Sequence, residues 1–403
     1  MACQIKDDKE EVVQHRELPF DLITQNILTR LPIKSVVRFK LVSKLWYSTL
    51  SSSKFGHTHF KFHHPSSPTL SLLIRSNDKF HFLSCESDEQ FDVKLVSFEV
   101  DIDVGNEILV LVGTCNGLVC LGSSSGGLFI LWNPITHDFR KYLDPEISKF
   151  FTRGWMVTWG FGYVSDSDDY KIVRICKQVK GQSFRLHVFS VRFDKWRRID
   201  NDSSHDFSGL MTTEHLYNLY RPGVLVNDTL YWMGGVPLIH EESERKIMSF
   251  NLALEVFNTF PDLKVSTPLT WVVDEECTDE FLCVVKGCLS KYGRHVRNGE
   301  GVITVLNGSG ETEQNVLSKD VVSSACKDLI GYRGSDKIFI KYYGSHEPQL
   351  GVIDLSSRPW KLTPVMSLEI MSEIASYSAS LISPVIRGIS KDEDKDKDED
   401  PNN

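Results

Sequence analysis

The sequence predicts a small all-α module followed by a large all-β domain, a β-propeller of about six blades. Two observations predict this order. Helical signals are confined to one long stretch near the N-terminus, residues 16–56. From about residue 69 to residue 385, short β-branched and aromatic runs alternate with Gly, Asn, Asp and Pro, and one strand pattern recurs at a nearly constant interval.

Composition limits the classes of protein to consider. The chain has 403 residues, more than one hydrophobic core usually holds, and 41% of them are hydrophobic, as in a folded protein. A net charge of −9 disfavours a nucleic-acid partner. The N-terminus lacks an apolar signal segment, and no apolar run is long enough to cross a bilayer. We therefore expect a protein of the cytoplasm and/or nucleus, with no membrane partner and with reduced cysteines.

The chain divides into five segments. Residues 1–15 are polar, and we expect them to be disordered. The helical module spans residues 16–56, a linker spans 57–68, and the β-propeller spans 69–385. Residues 386–403 form an acidic tail that we also expect to be disordered, because the run KDEDKDKDED cannot bury apolar surface.

Three short helices are predicted in the module. Pro19 suits the first turn of a helix, and Pro32 ends that helix at Leu31. Ser35 and Ser43 are predicted to cap the second and third helices. Helices this short cannot form a sufficient core alone, so they pack either on the rest of the chain or on a partner.

The charge of the module helps to choose between these options. Between Arg30 and Tyr47 there are five basic residues and no acids. In an acidic protein, this mixture of apolar and basic residues predicts an acidic protein partner. The alternative is an ordinary helical cap on the β domain with a solvated basic face. The basic residues are Arg30, Lys34, Arg38, Lys40 and Lys44.

Residues 18–46 resemble the F-box of plant F-box proteins, through the order LP…IL.RLP.KS..RFK.VSK.W. Asn26 stands where the family commonly has an acid, and Leu41 where it commonly has Cys. The resemblance implies binding to a Skp-family adaptor, and through it to a cullin, in an SCF-type ubiquitin ligase. It also implies ten adaptor-facing positions, of which some must instead hold the helices together: Leu18, Pro19, Ile27, Leu28, Leu31, Val36, Val37, Leu41, Val42 and Trp46.

One strand pattern recurs through the β region. A strand that ends in a small polar residue is followed by a tight turn and by a strand with an aromatic residue near its start. In four copies the aromatic residue follows the polar residue by six positions: Asn133 and Phe139, Ser190 and Trp196, Asn251 and Phe257, Asp354 and Trp360. A weaker copy at 70–98 and a degenerate copy at 281–306 bring the number of units to six.

The interval between units is close to the period of about 50 residues of kelch repeats, which predicts a kelch-like β-propeller. The segment LYWMGG at 230–235 carries the kelch signature best. A strand at 377–382 is predicted to close the ring by joining the first blade. A large sandwich of hairpins is the alternative, although it would not need so even a period.

The middle of the chain resembles the F-box-associated domain of the same plant family. The matching segments are CNGLVC at 115–120, WNPIT at 132–136, GFGY at 160–163 and DDYKIVR at 168–174. His137 and Val164 depart from the family pattern. We interpret these motifs as structural, because their residue types suit turns and buried strands. The resemblance extends to the S-locus F-box proteins of pollen among many other plant F-box proteins.

No catalytic site, metal site or cofactor is predicted. The segment GSSSG at 122–126 matches G-x-S-x-G, but it lies between two predicted strands rather than between a strand and a helix. Four histidines at 57, 59, 63 and 64 fall in the predicted linker without a Cys or an acid to complete a metal site. The resemblance of residues 18–46 to the F-box implies a non-catalytic receptor subunit, because partner proteins of the ligase perform the transfer of ubiquitin. The alternative is a propeller-type enzyme or carbohydrate-binding protein.

Strand parity predicts where a target protein binds. Because neighbouring strands in a blade are antiparallel, successive connections alternate between the two faces of the propeller. The long segments 143–155, 200–221, 236–245 and 289–299 share one face, and the short turns share the other. The alternative is that these segments are tolerated insertions. The predicted target-binding residues are Trp155, Tyr217, Tyr220, Arg221 and Arg294.

Overall fold

The structure is a computed structural model. It describes residues 18–63, 70–76, 79–85, 96–99, 107–144, 147, 155–178, 183–200, 205, 221–233, 247–260, 281–285, 287–294, 301–306, 312–317, 326–331, 337–343, 347–354, 356, 362–370 and 372–384. These residues form a helical module and six four-stranded antiparallel sheets. The predicted order of an all-α module before an all-β domain is confirmed.

Four helices make up the module. Helix α1 (Phe20–Leu22) continues through a π-helical turn (Ile23–Ile27) and a 3-10 turn (Leu28–Arg30), and it is followed by α2 (Ile33–Phe39), α3 (Lys44–Leu50) and α4 (Ser53–His63). Leu31 is extended before Pro32, as the restriction on a residue preceding proline predicts. The Ser43 hydroxyl accepts a hydrogen bond from the backbone N–H of Trp46 at 3.2 Å, which confirms its role as a cap.

Two predictions for the module are wrong. Ser35 does not cap α2, because the helix already begins at Ile33 after Pro32 and has no side-chain cap. Residues 57–63 are not a linker, because α4 runs through His63. The Ser52 hydroxyl accepts a hydrogen bond from the backbone N–H of Phe55 at 3.2 Å, so Ser52 caps the N-terminus of α4.

The six sheets are the blades of a propeller. In blades 2 to 6 the four strands follow one another in chain order, whereas blade 1 combines three consecutive strands with the last strand of the chain. Blade 1 holds β1 (Leu70–Ser76), β2 (Lys79–Cys85) and β3 (Val96–Glu99); blade 2 holds β4 (Leu109–Cys115), β5 (Leu118–Ser123), β6 (Leu128–Trp132) and β7 (Phe139–Leu143); blade 3 holds β8 (Trp155–Val164), β9 (Asp169–Gln178), β10 (Phe184–Ser190) and β11 (Lys195–Ile199). Blade 4 holds β12 (Val224–Val226), β13 (Thr229–Met233), β14 (Ile247–Asn251) and β15 (Val256–Phe260); blade 5 holds β16 (Phe281–Val285), β17 (Cys288–Arg294), β18 (Gly301–Leu306) and β19 (Thr312–Leu317); blade 6 holds β20 (Cys326–Gly331), β21 (Lys337–Tyr343), β22 (Pro348–Asp354) and β23 (Leu362–Ser367).

The last strand, β24 (Glu373–Tyr377), returns to blade 1 and becomes its innermost strand by pairing with β1. The innermost strands β24, β4, β8, β12, β16 and β20 each contact the next, so they surround one central channel. Six blades and closure onto the first blade were both predicted. The closing strand begins four residues before the predicted segment 377–382, and residues 378–382 leave the sheet instead of belonging to it.

The repeated polar residue has a local structural cause. The Asn133 Oδ1 atom accepts the N–H of Ile135 at 2.8 Å, and the Asn251 Oδ1 atom accepts the N–H of Leu254 at 2.7 Å, so each side chain closes the turn after the third strand. Four residues after these two positions, His137 and Glu255 adopt φ values of 60° and 55°. The fixed length of this turn explains the constant spacing to the aromatic residue. Trp360 lies outside the described residues.

Neighbouring blades are joined by tryptophan side chains that pack against glycine residues of the preceding blade. The Trp159 indole of blade 3 donates a hydrogen bond to the carbonyl of Ser123 in blade 2 at 3.0 Å. The same indole covers Gly122, where an added Cβ would lie 2.7 Å from its ring. The Trp232 indole of blade 4 repeats this arrangement, donating to the carbonyl of Trp159 at 3.3 Å. Glycine is therefore needed where an indole approaches the backbone.

The contact between Trp159 and Gly122 generates a prediction. Gly122→Val would force the buried indole away from the backbone, and we expect it to lower the free energy of unfolding by about 1–3 kcal/mol. Urea unfolding followed by tryptophan fluorescence measures this change. Ser124→Ala, in the exposed part of the same turn, is the matched control and should change stability by less than about 0.5 kcal/mol. Equal stability of the two variants would contradict the packing argument.

Candidate interaction surfaces

The module exposes a group of apolar side chains at one end. The Trp46 ring lies 6.0 Å from that of Phe20 and 5.6 Å from that of Phe39, which brings the start of α1, the end of α2 and the start of α3 together. Within three residues of these rings along the chain lie five exposed residues, which we call the apolar corner: Leu18, Leu22, Leu41, Val42 and Leu45. Leu41 is 87% exposed, so folding of this chain leaves the corner open.

The structure separates the ten predicted adaptor-facing residues. Leu18, Pro19, Ile27, Leu41 and Val42 are exposed. Leu31, Val37 and Trp46 are half-buried. Leu28 and Val36 are 2% and 0% exposed, so they are among the members of the ten that hold the helices together. Both belong to the core of the module, which needs them because the helices are short. Leu22 and Leu45 of the corner were not predicted.

Cations accompany the apolar corner. Arg30, Lys34, Arg38 and Lys44 are exposed, and Lys40 is half-buried. From Leu22 to His63 the sequence contains no acidic residue, and among the described residues of the module Asp21 in α1 is the one acid. The combination of exposed apolar side chains and unbalanced positive charge favours an acidic protein surface as the partner.

Helix α4 joins the module to the propeller. The His57 ring stacks on Tyr163 with 5.1 Å between centroids, and its Nε2 atom lies 3.5 Å from an Asp168 carboxylate oxygen. Burial lowers the pKa of His57, against the opposing effect of Asp168. A small cavity of about 200 Å³ remains between this helix and blades 2 and 3.

The position of α4 distinguishes the two faces of the propeller. Asp168 and Gly117 belong to turns between the first and second strands of their blades, so the module occupies the face formed by these turns and by the turns between third and fourth strands. We call it the short-turn face. The connections between second and third strands, and those between blades, form the opposite face, which we call the long-loop face. The predicted division of connections agrees with the strand order. However, segment 289–299 is not one loop, because residues 289–294 belong to β17.

Two of the five predicted target-binding residues can be placed on the rim of the channel at the long-loop face. Trp155 begins β8 and is half-buried beneath the guanidinium of Arg185, 5.6 Å from its ring centroid. The Arg221 guanidinium lies 4.6 Å from the ring centroid of Phe281, and the Arg221 carbonyl accepts a hydrogen bond from Thr158 at 2.8 Å. Tyr217 and Tyr220 lie outside the described residues. Arg294 ends β17 at this face, and its side chain also lies outside them.

The structure adds two rim residues that the sequence did not indicate. Ile108 and Ile370 are 70% and 68% exposed. The Glu373 carboxylate accepts the backbone N–H of Leu111 at 3.0 Å, which joins β24 to β4. Ile108 and Ile370 each precede these residues by three positions, before strands that begin at the long-loop face. The Ser124 N–H donates to the Ile108 carbonyl at 2.9 Å, which fixes one of them. An apolar residue just before a strand carries no recognisable sequence signal.

A buried cation supports the long-loop side of blades 2 and 3. Arg174 is fully buried and donates to the Gly126 carbonyl at 2.7 Å and to the Asp144 carboxylate at 2.8 Å. Its guanidinium lies 4.0 Å from the ring centroid of Trp196. Burial, together with the charge of Arg174, lowers the pKa of the neighbouring His187 to about 4.

Ser123 and Ser125 of the segment GSSSG, and His59 of the histidine-rich stretch, make structural contacts. The Ser123 hydroxyl accepts the N–H of Leu128 at 3.0 Å, and the Ser125 hydroxyl donates to Glu107 at 2.9 Å, so both hold the turn between β5 and β6. The Nε2 atom of His59 lies 2.8 Å from the carbonyl of Leu31. In the described part of the chain, no group of three His, Cys, Asp or Glu residues is arranged to hold a metal, and no helix is long and apolar enough to cross a membrane.

Two family models match the chain. The F-box domain matches residues 16–58, and the F-box associated beta propeller domain matches residues 88–293, about half of the chain. The chain belongs to the F-box proteins with an F-box-associated β-propeller domain. The resemblances of the helical module and of the central motifs to this family are therefore confirmed.

Relatives of this F-box protein are found in Arabidopsis thaliana. An F-box/kelch-repeat protein is 29% identical over 258 residues, which cover 62% of this chain and 67% of the relative. The F-box protein CPR1 is 30% identical over 288 residues, 66% of each chain. The chain thus spans about two thirds of the length of these relatives.

Solved structures are less similar to this F-box protein. TolB from Acinetobacter baumannii has a TM-score of 0.42 at 9% identity, over 81% of this chain and 72% of TolB. An oligogalacturonate lyase from Vibrio parahaemolyticus has a TM-score of 0.41 at 12% identity, over 73% and 79% of the two chains. Similarity at this level carries no information about function.

The low pKa of His187 generates a prediction about pH. Between pH 6.5 and about 4, the unfolded chain protonates this histidine while the folded protein does not, so stability falls as the pH is lowered through this window. His187→Asn removes this effect, and its free energy of unfolding should depend less on pH than that of the parent protein. Urea unfolding at pH 7, 6 and 5 measures the slope. Ser124→Ala, at an exposed turn, removes no ionisable group and is the control that should keep the parent slope; an unchanged slope in His187→Asn would contradict the assignment.

Proposed function

We propose that this F-box protein is the target-recognition subunit of an SCF-type ubiquitin ligase in the cytoplasm and/or nucleus. The helical module binds a Skp-family adaptor, and through it a cullin, and the long-loop face of the propeller binds a target protein. The observation that carries the proposal is the placement of the module on the short-turn face, so that none of the described helices covers the long-loop face.

The chemistry of the apolar corner supports adaptor binding. Leu41, Val42 and Leu45 follow one another at the junction of α2 and α3 and are 87%, 60% and 57% exposed. Apolar side chains this exposed, beside four exposed cations, gain free energy by burial against an acidic partner. The adaptor-facing residues in this proposal are therefore the exposed members of the original ten, joined by Leu22 and Leu45.

The rim of the channel supports target binding. Trp155 begins the inner strand β8, and Ile108 and Ile370 precede the neighbouring inner strands β4 and β24 by one and three residues. Arg221 continues the rim at blade 4. Rigid apolar and aromatic side chains next to arginine are the residue types that most often anchor protein interfaces. In this proposal the subunit itself is non-catalytic, because partner proteins perform the transfer of ubiquitin.

Charge placed in the apolar corner tests the adaptor surface. Leu41→Asp and Val42→Asp should each weaken binding of a purified Skp-family adaptor by about 30-fold or more, because each buries an unpaired carboxylate in the interface. Isothermal titration calorimetry measures the dissociation constant. Leu254→Asp, at a propeller turn where Leu254 is 75% exposed, is the matched control and should bind normally. Normal binding by both corner variants would contradict the assignment of the apolar corner to adaptor binding.

Charge placed on the rim tests the target surface. The double variant Ile108→Asp with Ile370→Asp should lose the proteins that the parent captures from cells treated with a proteasome inhibitor, while its affinity for the adaptor stays unchanged. Quantitative mass spectrometry of the captured proteins measures this loss. Phe193→Asp, at a residue 69% exposed on the short-turn face, should capture the same proteins as the parent. If Phe193→Asp loses them and the rim variant keeps them, the target binds the other face.

A further inference from the structure

We propose that residues 378–384, which follow the ring-closing strand, act as a clasp that positions the helical module for adaptor binding. The inference rests on the proposed function of that module. In this arrangement the module is competent to bind the adaptor only when it is docked on the clasp, and the clasp is in place only when β24 has closed the ring.

The clasp completes the core of the module. Leu381 is 1% exposed and packs in one cluster with Leu28, Val36, Leu50 and Phe55, which come from all parts of the module. Helices of three to eleven residues do not bury enough apolar surface to be stable alone. Leu381 therefore supplies to the module a core residue from the far end of the chain.

The propeller holds the clasp by its backbone. The buried Asn133 side-chain amide donates to the carbonyl of Ser380 at 3.1 Å and to that of Ile382 at 2.6 Å. Gly117 has a φ of 79°, and an added Cβ there would lie 2.3 Å from the Ser380 hydroxyl. Two family motifs, around Asn133 and around Gly117, thus meet at the clasp, which gives both a role beyond their own turns.

Helix α4 of the module packs directly on the clasp at Gly56, where a larger side chain would not fit. An added Cβ on Gly56 of α4 would lie 3.1 Å from the Ile382 Cα atom, so the backbones of the helix and the clasp are in direct contact. Ile382 is 1% exposed and packs with Leu118 and Tyr170 of blades 2 and 3. Leu381 therefore points into the module while Ile382 points into the propeller, and the clasp lies between them as a shared layer.

The clasp is continuous with ring closure. Tyr377, its immediate predecessor, pairs with Ser71 at the end of β24. Opening β24 would remove the support of Asn133 and Gly117 from the clasp and would withdraw Leu381 from the module. Adaptor binding is thereby coupled to the closed state of a ring whose first and last strands are far apart in sequence.

Substitutions at Leu381 test the clasp. Leu381→Asp should weaken binding of a purified Skp-family adaptor at least tenfold, and Leu381→Met, which keeps volume and polarity, should restore it. Ala379→Asp places the same charge on an exposed residue of the same segment and is the matched control, with unchanged affinity. The full chain is used in each case, and isothermal titration calorimetry gives the affinity.

Hydrogen exchange gives a readout that does not depend on the adaptor. In Leu381→Ala, backbone amides of α2 and α3 should exchange at least tenfold faster than in the parent, whereas those of β9 should exchange at the parent rate. If the parent protein does not bind the adaptor but this pattern is observed, the proposed function fails and the clasp stands as a structural element of the module. Unchanged exchange in α2 and α3, or equal acceleration in β9, would overturn the clasp.

Discussion

The antiparallel pairing of β24 with β1 is the contact on which the rest of the structure depends. It joins Arg75 to Glu373, 298 positions later, through an ion pair at 2.5 Å. Without it, blade 1 would lack its innermost strand and would present an unpaired edge to the channel. The loop that it closes is long, but the entropic cost of closing a loop grows only slowly with its length, so one strand can close the whole ring.

Buried charges connect neighbouring blades. Lys171 in blade 3 donates to the Leu252 carbonyl and to the Glu255 carboxylate in blade 4, both at 2.7 Å. Arg174, three positions later, points to blade 2. A buried cation is tolerated only with such partners, and it fixes the orientation of the groups that satisfy it. The central family motif at 168–174 is therefore explained by the assembly of the ring.

Most of the fold could be predicted from the sequence, because its signals are local and repeated. Turn residues such as Asn133 and Asn251 recur at fixed positions, and strand order follows from short connections. Most of helix α4 was missed because the helical module was ended at residue 56, before the stretch 57–63 that the sequence analysis assigned to a linker. The surface assignment was less predictable. Leu28 and Leu41 are equally apolar in sequence, and only the packing of α1, α2 and α3 decides that one is buried and the other exposed. Ile370 is placed at the rim only because β24 returns to blade 1.

The order of synthesis gives the position of Leu381 a biological consequence. The ribosome makes the helical module before any blade, yet the residue that completes its core emerges after all of them. A nascent or truncated chain with an incomplete ring would thus display an unfinished module. Under the proposed function, such a chain would bind the adaptor poorly, so unfinished copies would neither compete for the adaptor nor direct ubiquitin to the wrong proteins. Under this proposal, the module can bind its adaptor only after the ring has closed.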